Sequence, residues 1–226
     1  MIKAIVVAGA ALLLAGCVST KNVKADISAL QASQYRTMTV SAREKPSFSA
    51  MTAGKAQFGL IGAAAMISAG NRIIRENDVA DPAVYIGQQL AAVVAANLGV
   101  ELAPDSGQLA SSTKPRELAA QYAGSDLLLD VQTVNWSFAY FPTDWNNYRV
   151  IYSAKVRLID TRTGKLLAEG FCASLPERSE DSPSRDQLLD NAADGLKREL
   201  RAAADKCIPQ LAWNVLGVDG RTLSGQ

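Results

Sequence analysis

The chemistry open to this 226-residue chain is narrow, because it contains no histidine. That absence removes Ser-His-Asp and Cys-His catalysis, His-ligated zinc and imidazole proton shuttles. Carboxylates and lysines are plentiful. No GxSxG elbow, P-loop or GxGxxG fingerprint arranges them into a site. The expectation is a chain that is not an enzyme, with no catalytic residue and no metal site. Reactive chemistry then rests on three cysteines, Cys17, Cys172 and Cys207. Two thiolates without a histidine make a poor zinc site, so the later pair points to a disulfide or to two separately buried thiols.

Cys17 stands in a distinctive setting. Lys3 supplies a basic start, residues 4–14 form an apolar core, and Ala15 and Gly16 are small. That order marks an export signal. The core is shorter than the roughly 20 apolar residues that span a bilayer. The segment Leu14-Ala15-Gly16-Cys17 resembles the lipobox of bacterial lipoproteins. The resemblance implies removal of residues 1–16. It also implies that Cys17 is the lipidation site, carrying a covalent diacylglycerol and an N-acyl chain such as palmitate. The other reading is a secreted protein whose signal happens to contain a cysteine. Each buried acyl CH₂ contributes about 0.8 kcal/mol, so two or more chains hold a protein firmly on a membrane. In such lipoproteins an Asp directly after the cysteine favours the inner membrane. Val18 and Ser19 stand there instead, which implies a periplasm-facing anchor in the outer membrane. Export places Cys172 and Cys207 in an oxidising compartment, where two thiols tend to pair.

Composition narrows the partners. The chain has 23 basic and 22 acidic residues, and loss of Lys3 with the signal brings them into balance. Nucleic acid is excluded as a partner, since phosphate binding needs a basic surface. Adhesion to anionic lipid by charge alone is excluded for the same reason. No other cofactor is expected.

The elements that must carry these residues follow from periodicity. Residues 17–34 read as a polar tether, 35–216 as one α/β domain and 217–226 as a disordered tail. Residues 35–40 favour a strand, and 42–55 read as a loop. Residues 58–70 form thirteen positions without a charge. Their reading is a buried helix continued by 71–76, with contact to a partner or a membrane as the alternative. Asp81 and Pro82 open a helix that ends near Asn97, before Gly99. Residues 100–102 suggest a short strand and 115–122 a short helix. Residues 126–141, 148–158 and 165–173 read as a three-strand meander, with a turn at Thr161-Arg162-Thr163-Gly164. Ser184 caps a long helix from 185 to about 207, with Leu189, Ala192, Ala193, Leu196, Leu200, Ala203 and Cys207 at helical spacing. The fold class is α+β: a single domain with an antiparallel three-strand meander in a mixed sheet, packed by two or three helices, the last one long.

This order of elements behind a lipobox resembles the TolB amino-terminal domain and the periplasmic domain of CsgG-type export lipoproteins. The residues carrying the resemblance are 37–40, 126–129, 150–160, Thr163-Gly164-Lys165-Leu166-Leu167 and Gly170, with an Asp-x-x-Thr-Gly-Lys-Leu hairpin from Asp160. The resemblance implies a non-enzymatic role in the cell envelope and carries no catalytic residue across. The expected function is an outer-membrane-anchored binding and assembly module, whose partner is another envelope protein or further copies of the chain. The alternative is a subunit of an oligomeric export or transport apparatus. Trp136 and Phe138 fit the core under the meander. Tyr140, Phe141 and Trp145 flank a turn expected over residues 142–147, and are the candidates for partner binding.

Overall fold

The computed structural model describes residues 22–219. Cys17, the rest of the signal segment and residues 220–226 lie outside the described residues. The frame is a meander of β4 (Leu127–Phe141), β5 (Asp144–Asp160) and β6 (Lys165–Ser174). It grows into a mixed sheet of order β3-β1-β4-β5-β6. In it β1 (Thr37–Val40) pairs parallel with residues 127–129 of β4, and β3 (Glu101–Leu102) pairs parallel with β1. A further strand, β2 (Ser49–Met51), pairs parallel with residues 137–139 of β4. Thus β1 and β2 share one edge of β4, at its two ends.

The apolar positions of β4 change phase along its length. Leu127, Leu129 and Val131 are odd, while Trp136 and Phe138 are even, and all five belong to the same core. A register shift between Thr133 and Asn135 reconciles them. The extra residue of such a bulge turns the strand by one position. Val134 is left exposed.

Two helices cover this face. Asp81 caps α4 (Pro82–Leu98) by accepting from Ala83 N, and Gly99 ends it at φ 66°, where a Cβ would be strained. Ser184 and Gln187 form a capping box on α6 (Arg185–Asn214). The two helices pack on each other and on the sheet, and the Arg201 guanidinium lies 3.5 Å from the centre of the Tyr85 ring. On the opposite face, Leu118, Ala119 and Tyr122 of and beside α5 (Pro115–Gln121) cover Leu128 and Ile159. That face also buries an ion cluster. Asp130 accepts from Arg157 Nη2 at 2.5 Å, Arg43 Nε at 2.6 Å and Ser41 Oγ at 2.6 Å.

The single α+β domain, its meander and its long last helix are as the sequence indicates. Several boundaries are corrected. Residues 22–34, expected within the tether, are part of the fold: Val23 pairs with Glu169, Ala25 N donates to Val215 O, and Asp26 caps α1 (Ile27–Ala32), which buries Leu30. Residues 217–219, expected in a disordered tail, belong to the described fold: Val218 is buried and its N–H bonds Ala212 O. The loop expected over 42–55 contains β2 and a short helix, α2 (Ala53–Ala56). α6 runs seven residues past Cys207, and residues 190–193 leave helical geometry, with positive φ at Asn191, Ala192 and Ala193. The break folds the first turn of α6 back on the rest, so that a Cβ at Gly195 would stand 2.1 Å from Gln187 O.

The largest correction concerns residues 58–70. They lie in α3 (Gly59–Glu76), but only Gly62, Met66, Gly70 and Ile74 are buried. That spacing of four gives a single narrow stripe, so the helix is half-docked instead of enclosed.

Candidate functional site

The anchor residue, Cys17, lies outside the described residues. Cys172 and Cys207 are paired, with Cα atoms 5.5 Å apart, and the bond ties β6 to α6 under the core. Both half-cystines are buried.

The aromatic candidates sit at the β4–β5 hairpin. Its connection is tighter than expected: only Pro142 and Thr143 separate the strands, because pairing resumes at Phe141 and Asp144. Trp145 is 59% exposed, and its indole N–H donates to Pro142 O at 3.0 Å. Tyr140 is half-buried and meets Trp145 edge-on, with centroids 6.5 Å apart. Phe141 departs from the expectation of a surface anchor. It is buried, and the Arg149 guanidinium lies 5.3 Å from its ring centre. The pairing of β4 with β5 shifts register between Tyr140 and Phe141, so the two neighbours are placed differently. Trp136 and Phe138 are core residues in contact with Phe48.

Asp144 fixes this tip. Its Oδ2 accepts from Asn147 Nδ2 at 2.7 Å and Arg178 Nε at 2.9 Å. Those bonds hold its carboxyl below the usual carboxylate range. They also hold the loop after β6 against the hairpin, as does the bond from Tyr148 N to Pro183 O. The hairpin therefore presents Trp145 from a braced support.

The exposed side of α3 is the surface that sequence reasoning assigned to the core. Phe58, Leu60 and Ile61 are 67%, 91% and 81% exposed, and Ile67 is also open. The docked stripe explains why. A Cβ at Gly62 would stand 2.0 Å from Lys55 O, and one at Gly70 would stand 2.1 Å from Phe48 O. Asn71 Oδ1 accepts from Phe48 N at 2.8 Å. The helix thus lies backbone-close on α2 and β2, and its larger side chains point away. The signal in the sequence was the spacing of Gly62, Met66 and Gly70.

A cleft of about 360 Å³, mainly apolar with Ser41, Arg43 and Asp81 at its wall, opens at the carboxyl end of β1, where Val84, Leu102 and Val131 also line it. Asp81 Oδ1 accepts from Thr133 Oγ1 at 2.5 Å, and Thr133 in turn shares a hydrogen bond of 3.0 Å with the Tyr152 hydroxyl. Burial raises the Asp81 carboxyl above its ordinary range, against the opposing pull of the Thr133 hydroxyl. Burial also pushes the Tyr152 phenol up. Arg43 is engaged by Asp130 and by Ser112 O. These groups satisfy one another and serve the junction of β1, β4 and α4. Among the described residues, no three carboxylates or thiols gather as metal ligands, and no helix is long and apolar enough to cross a membrane.

No family model and no curated protein sequence matches the chain. Solved structures similar to it include the lipoprotein GNA1162 from Neisseria meningitidis, at 18% identity and TM-score 0.33 over 77% of this chain and 99% of that one. The PelC dodecamer from Paraburkholderia phytofirmans is similar at 11% identity and TM-score 0.30, over 76% and 83%. The LpoB C-terminal domain from Salmonella enterica is similar at 13% identity and TM-score 0.21, over 66% and 93%. The resemblance to TolB amino-terminal and CsgG-type domains rests on the sequence alone.

Proposed function

We propose that the chain is a lipoprotein of the bacterial envelope whose α+β domain works as a non-enzymatic binding and assembly module. Cys17 carries the acyl chains, the outer membrane holds them, and the domain faces the periplasm. The observation that carries this reading is the segment Leu14-Ala15-Gly16-Cys17, which ends six residues before Val23, the partner of Glu169 in the sheet. The pairing of the other two cysteines supports it, since a structural disulfide belongs to an exported protein. Binding energy in such a module comes from buried contact area. Trp145, braced at the hairpin tip beside Tyr140, is suited to anchor a protein partner.

Cys17→Ser tests the anchor. The variant is expected to lose acylation, read by intact mass and by labelled palmitate, and to leave the membrane fraction. Equal palmitate incorporation by the variant would overturn the reading. A photo-crosslinker at Tyr140 or Trp145 tests the binding face, and identifies the attached protein as another envelope component or a second copy. The mass in detergent then separates a monomeric module from a ring of subunits.

A further inference from the structure

We infer that the amino-terminal end of α3 is a second membrane contact: Phe58, Leu60 and Ile61 seat in the interface of the same bilayer that holds the lipid on Cys17. The inference rests on the lipid anchor proposed above, and adds a surface and an orientation to it.

The first ground is the chemistry of the surface. From Phe58 to Ser68 the chain has no charged residue, and apart from Gly62 and Met66 this stretch is exposed. A helix face turned to water ordinarily carries charged side chains. Phe and Leu on a helix lying in the headgroup boundary are the residues expected of an interfacial contact.

The second ground is position. β2 runs parallel to β4, so the chain passing from Ala50 to α2 travels toward the β4–β5 hairpin. α3 then returns, with Gly70 against Phe48 and Ile74 in the main core. At a rise of 1.5 Å per residue, Phe58 stands about 18 Å beyond Gly70 along the helix. That places Phe58, Leu60 and Ile61 at the hairpin end of the molecule, the end that also exposes Trp145.

The third ground is the path of the anchor. Val23 pairs antiparallel with Glu169, through bonds of 2.8 and 2.9 Å. β6 runs toward the hairpin end, being antiparallel to β5. The backbone at Val23 therefore has its amino-terminal side turned to that same end. Cys17 is six residues before Val23, a reach of at most about 20 Å. With the anchor within that reach of Val23, on the side of the molecule that carries an uncharged apolar helix tip, the tip is brought to the bilayer. The turn between β5 and β6 is left pointing into the periplasm.

The test uses the full acylated chain in vesicles of phosphatidylethanolamine and phosphatidylglycerol. Ile61→Cys supplies a single free thiol, because Cys17 is acylated and Cys172 and Cys207 are bonded. An environment-sensitive fluorophore there is expected to shift to shorter wavelength and to be quenched by lipids spin-labelled near the headgroup. Leu60→Cys should behave alike, and both sites are open enough for the fold to be untouched. The same label at Lys165→Cys, at the opposite end, should stay in water and unquenched. Labels at 60 and 61 as wet and unquenched as that at 165, on vesicle-bound protein, would overturn the inference while leaving the anchor intact. A wavelength shift without lipid quenching would mark a second copy or another protein on α3, and would overturn it too. A chain found without acyl groups would overturn the anchor and this contact together.

Discussion

α3 and α4 are nearly equal in length, at 18 and 17 residues, and both are rich in apolar side chains. One is enclosed and the other is half bare. α4 begins on a satisfied cap at Asp81, ends on Gly99, and packs on the sheet beside α6, burying Ile86, Leu90, Val93 and Val94 among others. α3 begins at Phe58 without a side-chain cap, and it rests mainly on the three residues of β2 and on α2. The difference teaches that apolar content sets what a helix can bury, while the area of the surface opposite sets what it does bury. α4 meets three strands of the sheet, β4, β1 and β3, with α6 beside it. α3 meets a three-residue strand at the edge, and nothing in the chain covers its other side among the described residues.

The comparison can be broken from either side. The largest effect is expected in the body that supports α4. Asp130→Asn leaves Arg157 buried beside a neutral partner, and breaking a buried pair in this way costs roughly 3–5 kcal/mol. Chemical denaturation of the variant measures it. The pH dependence has a definite sign. Burial pushes the Asp130 carboxyl up, but Arg43, Arg157 and Ser41 bring it below the ordinary range. A carboxyl lowered in the folded state stabilises above its unfolded pKa of about 3.9, and that stability is lost as pH falls through the folded value. The wild type should therefore lose stability steeply below about pH 4, and the variant less steeply. An unchanged acid limb would show that the cluster does not titrate with unfolding.

The second effect is on the cover of α4. Replacing Cys172 and Cys207 by Ala opens a loop spanning a separation of 35 residues, and the entropy of closing such a loop is worth roughly 3–4 kcal/mol. Thermal unfolding with and without reductant should reproduce the loss in the wild type. A reductant-insensitive transition would show that α6 is held by packing alone.

The third effect sharpens the contrast, because it should be local. Gly70→Ala drives a Cβ toward Phe48 O, and overpacking of this kind costs about 1–3 kcal/mol. Hydrogen exchange should show protection lost along α3 and β2 while α4 keeps its own. Equal loss in both helices would mean that α3 belongs to the same cooperative unit as the body.

The smallest effect is the most diagnostic for α3. Leu60→Ser with Ile61→Ser should change stability by no more than about 0.5 kcal/mol, since both side chains already stand in solvent. A loss of several kcal/mol would put these residues in a core and end the comparison.

Much of this was legible in the chain. Asp81-Pro82 and Gly99 bracket α4 because a capping carboxylate, a ring-fixed φ and a residue free of a Cβ are local requirements. The alternation from Tyr148 to Leu158 set β5, and Gly164 set the turn to β6 at φ 69°. Ser184 marked the start of α6 for the same reason, and the structure adds Gln187 as its capping-box partner. Absence of histidine bounded the chemistry, and Leu14-Ala15-Gly16-Cys17 indicated the anchor, from residue types alone. The tertiary structure decided what depends on a neighbour distant in sequence. Phe141 is buried and Trp145 exposed at a hairpin closed by two residues, with a register shift between Tyr140 and Phe141 that residue types do not announce. Residues 22–34 join the fold because the edge of β6 and Val215 offer their backbone partners. α3 lies bare because β2, not the meander, is its floor. Periodicity states which side chains of an element can share a face. Only the assembled sheet states whether a surface is there to receive them.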